Sequence, residues 1–176
     1  MHEQNPTLSP RDLPYAAGMA IACVFAYTVT TNSLFPFVGR DNDLLGGMWA
    51  VVATIFVFRE TRRGSVSAGI ARFLATCISF ALCFSYLLIF PFSALGMMVL
   101  LGLGTVVVTL LGRREDIITT AITTAVVMVA AAISAESPWH QPLLRLVDTV
   151  IGIAIGVSFR WIIDARLLRL IGGQAR

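Results

Sequence analysis

The longest uncharged segment, Phe73–Gly112, most constrains how this chain can fold. Its forty residues include no charged side chain. A transmembrane helix needs about 20 apolar residues to cross a hydrocarbon core about 30 Å thick, so this segment is too long for one helix and suited to two. Pro91 lies near its middle and predicts the break between them, because proline interrupts helical hydrogen bonding.

Composition separates a membrane protein from the alternative, a soluble all-α domain. Hydrophobic residues make up 57% of the chain and charged residues only 13%, about half the charged share of a soluble domain. So few charges would leave the surface of a soluble domain largely apolar. We therefore predict an all-α, polytopic integral membrane protein.

Six apolar segments predict six transmembrane helices. Their approximate bounds are 14–35, 43–58, 69–90, 92–112, 117–135 and 143–163. The second is short, and we expect it to cross because the side chain of Arg59 can reach the headgroups from its end. Residues 1–13 are expected to form one tail. Residues 164–176 are expected to form the other and to continue the last helix.

The distribution of arginine predicts the orientation. All thirteen basic residues are arginines. Ten of them follow spans 2, 4 and 6, whereas the opposite side has only Arg40 and Arg145, and Arg11 lies in the first tail. Cytoplasmic loops carry the excess of positive charge in membrane proteins. Both termini are therefore predicted to be cytoplasmic. The net charge of +3 is too scattered to predict a nucleic-acid partner.

A weak internal repeat relates the third and sixth spans. Shifting the sequence by 73 residues pairs five identical residues: Arg72 with Arg145, Thr76 with Thr149, Ile78 with Ile151, Ala81 with Ala154 and Ser85 with Ser158. A repeated three-helix unit must cross the membrane in the opposite sense the second time, which predicts a 3+3 inverted repeat with a site between the halves. The two arginines would then enter from opposite faces. The alternative is that each anchors a helix end at the headgroups.

The sixth span also contains an acidic residue and two small ones. Asp148 lies one turn inside it, where a charge needs a partner, and Arg145 is three residues earlier on the same helix face. The two residues form either a structural ion pair or a gated pair and proton site beside a substrate path. Gly152 and Gly156 form a GxxxG pattern, which predicts close helix packing, either within the chain or across a dimer.

The sequence has no pattern of an enzyme, cofactor or metal site. No catalytic triad, nucleotide-binding loop or zinc-protease motif is present. The three cysteines, Cys23, Cys77 and Cys83, lie in apolar stretches and are interpreted as core residues. We therefore expect neither a cofactor nor a bound metal.

Several short motifs resemble the fusaric acid resistance protein (FUSC) family. They are Gly47-Met48-Trp49, Arg62-Arg63-Gly64-Ser65, Arg72-Phe73-Leu74-Ala75-Thr76 and Arg145-Leu146-Val147-Asp148-Thr149-Val150-Ile151-Gly152. The family pattern has a tryptophan in helix 2, a short basic loop, Arg-x-x-Gly-Thr opening helix 3, and a late Arg-x-x-Asp-Thr-x-x-Gly. Here Ala75 stands where the family has glycine. The resemblance covers about residues 14–163.

The resemblance implies export of small organic, often aromatic, carboxylates across a bacterial inner membrane, driven by the proton gradient. Arg72 and Arg145 would attract the carboxylate, Trp49 would stack on an aromatic ring, and Thr76 and Thr149 would line the path. In the same interpretation, Asp148 would exchange a proton or hold Arg145. Some members of the family work with a periplasmic adaptor, which is one implied partner. Because six helices are few to enclose a path, we also expect a homodimer. The alternatives are a non-transporting membrane scaffold that binds a partner protein, and an anion channel.

Overall fold

The computed structural model describes residues 12–38, 40–133 and 138–172, and this part of the chain is helical with no strand. The helices are α1 (Asp12–Val38), α2 (Arg40–Phe58), α3 (Arg62–Leu87), α4 (Ala94–Leu110), α5 (Ile117–Ile133) and α6 (His140–Gly172). A short 3₁₀ turn, Arg114–Asp116, precedes α5. The all-α prediction is confirmed, and each predicted span overlaps one helix.

Four of the described helices contain a segment long and apolar enough to cross a membrane. These segments are Asp12–Asn32, Gly64–Leu87, Arg114–Ile133 and His140–Ala165. The apolar parts of α2 and α4, Leu44–Phe58 and Ala94–Leu110, are shorter. Together these helices make the chain a multi-pass membrane protein.

Helix α3 begins about two turns before the predicted start at residue 69. Thr61 explains the earlier start, because its hydroxyl accepts a hydrogen bond from the backbone N–H of Gly64 at 3.2 Å and caps the helix. The helix ends at Leu87, and Pro91 lies in the loop before α4. The early start places Arg72 about 15 Å along the helix from its first residue, well inside it.

Helices α3 and α6 pack against each other at the centre of the fold. Each contacts four other helices: α3 contacts α2, α4, α5 and α6, and α6 contacts α1, α2, α3 and α5. The remaining contacts are α1 with α2 and α4 with α5. If α1, α2 and α3 are matched to α4, α5 and α6, each contact between two of the described helices has an equivalent contact between their two counterparts.

The two glycines of the GxxxG pattern bring α6 close to α2. A Cβ atom at Gly152 would overlap the carbonyl oxygen of Ala50, and one at Gly156 would lie 3.0 Å from the carbonyl oxygen of Thr54. The hydroxyl of Thr54 also donates a hydrogen bond to the carbonyl oxygen of Gly152 at 3.0 Å. The small residues therefore let the two backbones approach closely within one chain.

Candidate functional site

Arg72 is a buried cation whose charge is not neutralised by a neighbouring carboxylate. It is 4% exposed. Its guanidinium carbon lies 4.4 Å from the ring centre of Phe56 and 5.3 Å from the ring of Trp49, both on α2. These aromatic contacts stabilise the cation through cation–π attraction. Its Nε and Nη2 atoms have no hydrogen-bond partner, and no carboxylate in the described ranges forms an ion pair with it.

Arg72 lines a pocket of about 560 Å³. The pocket lies between the end of α2, the first half of α3 and the start of α5. Its lining residues are Phe56, Arg59, Glu60, Gly64, Ser67, Ala68, Ala71, Arg72, Glu115, Asp116, Ile118 and Thr119. Its volume is within the range of pockets that hold small organic ligands. A buried guanidinium with free N–H groups in such a pocket can bind an anion by charge-assisted hydrogen bonds.

Trp49 connects Arg72 to the sixth helix. It is 2% exposed, and its indole N–H donates a hydrogen bond to the hydroxyl oxygen of Thr149 at 3.0 Å. The hydroxyl of Thr149 donates in turn to the backbone carbonyl of Arg145 at 2.7 Å. In this conformation the indole therefore fills the space between the two predicted arginine sites.

Arg145 and Asp148 form a buried ion pair. Arg145 Nη1 lies 3.1 Å from Asp148 Oδ2, and the two side chains are 2% and 1% exposed. Gly46 of α2 packs directly on the carboxylate, since a Cβ atom there would lie 2.9 Å from Asp148 Oδ1. Desolvating two charges is costly, and this pair recovers part of that cost through its close contact.

The threonines of the predicted path have matching positions. The hydroxyl of Thr76 donates to the carbonyl oxygen of Arg72 at 2.9 Å, just as Thr149 does to Arg145. Both threonines are buried. Trp49 lies between the Arg72 pocket and the ion pair, and each threonine lies one turn beyond its arginine. The two glycines of α6 lie against Ala50 and Thr54 of α2, and no predicted path residue is among their nearest neighbours.

Sequence reasoning missed three residues of this region: Phe56, Gly46 and Glu115. A signal existed for Phe56, because it is seven residues after Trp49 and such residues share a helix face. The pairing of Gly46 with Asp148 and the position of Glu115 in the pocket depend on tertiary structure. The described residues contain no group of three or more side chains suited to holding a metal ion.

Comparison with known proteins gives one match. The family model described as "Fusaric acid resistance protein-like" matches residues 22–159, which is well over half of the chain. No curated protein and no solved structure matches the chain.

Proposed function

The chain belongs to the fusaric acid resistance protein-like family, a family of membrane transport proteins rather than enzymes, and we propose that it exports small organic, often aromatic, carboxylates. The observation that carries this proposal is Arg72, a buried cation with free N–H groups in a pocket of ligand size. A buried charge without a partner is costly in a membrane protein. Binding an anion compensates this cost, so the site favours a carboxylate over a neutral molecule.

The pocket suits an aromatic carboxylate in particular. A carboxylate would accept hydrogen bonds from the guanidinium of Arg72, whose central carbon already lies close to the rings of Phe56 and Trp49. Phe56 also lines the pocket, so an aromatic ring attached to the carboxylate would find an apolar partner there. The ring and the carboxylate of the substrate would thus be bound by adjacent groups.

We further propose that all six helices cross a bacterial inner membrane, as a 3+3 inverted repeat with both termini in the cytoplasm. The symmetric set of helix contacts supports the repeat. The matching threonine bonds at Arg72 and Arg145 also support it. The arginine-rich loops adjoin the pocket, so the pocket would face the cytoplasm, where an exporter receives its substrate.

Transport by alternating access fits the buried centre better than an open channel does. Trp49, Thr149 and the ion pair of Arg145 and Asp148 are all buried beyond Arg72. For the substrate to pass, Arg145 would exchange Asp148 for the substrate carboxylate. Protonation of Asp148 would favour this exchange by removing its attraction for Arg145, which would couple export to protons.

The test is flux in proteoliposomes that contain the purified protein. Wild-type protein should transport radiolabelled benzoate, and Arg72→Gln should slow this transport at least tenfold, because a charged hydrogen bond is worth about 1.5–3 kcal/mol. Arg114→Gln is the control, since Arg114 is an exposed arginine outside the pocket lining. Normal flux in Arg72→Gln would refute the site. Absence of flux in wild type would favour the scaffold, and a steady conductance in a planar bilayer would favour the channel.

Labelling from one side of the membrane tests the six-span topology. Phe90→Cys and Arg114→Cys introduce exposed cysteines before and after α4, in a variant without the three native cysteines. If α4 crosses the membrane, an impermeant thiol reagent added outside whole spheroplasts should label only the first. Labelling of both positions, or of neither, would contradict the proposed topology.

A further inference from the structure

Most charged side chains around the Arg72 pocket already have a partner. Arg59 Nε lies 3.3 Å from Glu60 Oε1, so these two lining residues neutralise each other. Asp116, another carboxylate of the lining, accepts a hydrogen bond from Arg113 Nε at 2.6 Å. These ion pairs leave little net charge on their part of the lining.

Two lining residues of opposite charge are left over: Arg72 and Glu115. Glu115 lies in the 3₁₀ turn before α5, is exposed, and forms no ion pair with any residue whose side chain the structure describes. Arg72 lines the same pocket, and the Nε and Nη2 atoms of its buried guanidinium have no hydrogen-bond partner. Arg72 and Glu115 form no ion pair with each other, so among the side chains that the structure describes the lining has one cation and one anion without an ion-pair partner.

We propose that this pocket selects a zwitterion, whose carboxylate binds Arg72 and whose protonated nitrogen binds Glu115. The proposal rests on the carboxylate transport proposed above and adds a second charged group to the substrate. A ligand with only a carboxylate would bring a second anion into the cavity that Glu115 already faces. A protonated nitrogen on the same ligand turns this repulsion into attraction, so Glu115 would discriminate between the two kinds of ligand.

The dimensions of the pocket allow this arrangement. A sphere with the volume of the pocket is about 10 Å across. An amino acid, or an aromatic ring with a carboxylate on one side and an aminomethyl group on the other, fits within that length. Phe56 would contact the ring while the two ends of the ligand bind opposite charges.

The experiment measures binding to the detergent-solubilised full chain by isothermal titration calorimetry at pH 7. Two pairs of probes differ mainly by the charged nitrogen: phenylalanine against 3-phenylpropionate, and 4-(aminomethyl)benzoate against 4-ethylbenzoate. The first pair places the nitrogen beside the carboxylate and the second places it across the ring. In wild type we expect one zwitterion or both to bind about fivefold tighter than the matched carboxylate, as for a single exposed ion pair.

Two variants test whether Glu115 causes the preference for the zwitterion. Glu115→Gln should abolish it, whereas Asp164→Asn, which removes a carboxylate outside the pocket lining, should keep it. If neither zwitterion is preferred in wild type, or if the preference survives in Glu115→Gln, the inference is wrong. Carboxylate binding that still depends on Arg72 would then leave the proposed function standing. If none of the four probes binds, both proposals fail.

Discussion

Asp148→Asn tests whether the Arg145–Asp148 pair stabilises the fold. The substitution keeps the size of the side chain and removes its charge, so the contact at 3.1 Å changes from an ion pair to a neutral contact. Arg145 would stay 2% exposed, with its Nε and Nη2 atoms already lacking hydrogen-bond partners. The variant therefore leaves a buried cation without a counter-ion.

The expected loss of stability follows from that uncompensated charge. Breaking a buried pair by removing one partner costs about 3–5 kcal/mol in soluble proteins. The insertion cost of an arginine at the centre of a membrane helix is about 2.5–3.5 kcal/mol. Hydrogen bonds between membrane helices, by contrast, average only about 0.6 kcal/mol. We therefore expect Asp148→Asn to lower the free energy of unfolding by about 3 kcal/mol, the cost of a charge and well above that of one hydrogen bond.

The assay is reversible unfolding in mixed micelles of detergent and dodecyl sulfate, followed by circular dichroism. Asp164→Asn is the matched control on the same helix, because Arg160 Nη1 and Asp164 Oδ1 form a more exposed pair at 3.3 Å. That control should lose less than about 1 kcal/mol. Replacing both Arg145 and Asp148 with methionine should restore most of the stability lost in Asp148→Asn, since no charge remains buried. Equal losses in Asp148→Asn and Asp164→Asn would refute the reasoning.

Two further substitutions test the packing and the binding site. Gly152→Ala should lower the unfolding free energy by about 1–3 kcal/mol in the same assay, because its Cβ would overlap the backbone of α2. Gly102→Ala is the control and should cause no loss of stability, because nothing lies within 4 Å of a Cβ atom there. An equal effect of both substitutions would contradict this account. Ala75→Asp places a carboxylate three residues after Arg72 and should abolish carboxylate binding in calorimetry, while Ala75→Asn controls for size. Unchanged binding in Ala75→Asp would show that the free N–H groups of Arg72 are not the site.

The fold class and the family could be predicted from the sequence because both depend on local patterns. The uncharged segment and its central Pro91 predict two helices with a break, and α3 and α4 end and begin on either side of that proline. The short arginine, tryptophan and threonine motifs predicted the family, which the match over residues 22–159 confirms. These features require no knowledge of which helices touch.

The environment of Arg72 could not be predicted, because it depends on a cap and on tertiary contacts. The apolar segment begins near residue 69, so Arg72 could equally be read as an anchor at a helix end. The cap at Thr61 starts α3 earlier and places Arg72 inside the fold. Its burial then depends on Phe56 and Trp49 of α2, which reach it only after the helices pack.

The residue three positions after each arginine differs between the two helices, and this difference gives the proposed repeat its direction. Both hold the same threonine bond on their own helix. Three residues later, however, one helix has Ala75 and the other has Asp148. Alanine leaves Arg72 open to an anion from outside the protein, whereas aspartate occupies Arg145 until it is displaced or protonated. A symmetric pair of open arginines would bind the substrate equally from either side, so the single carboxylate is what would distinguish entry from release.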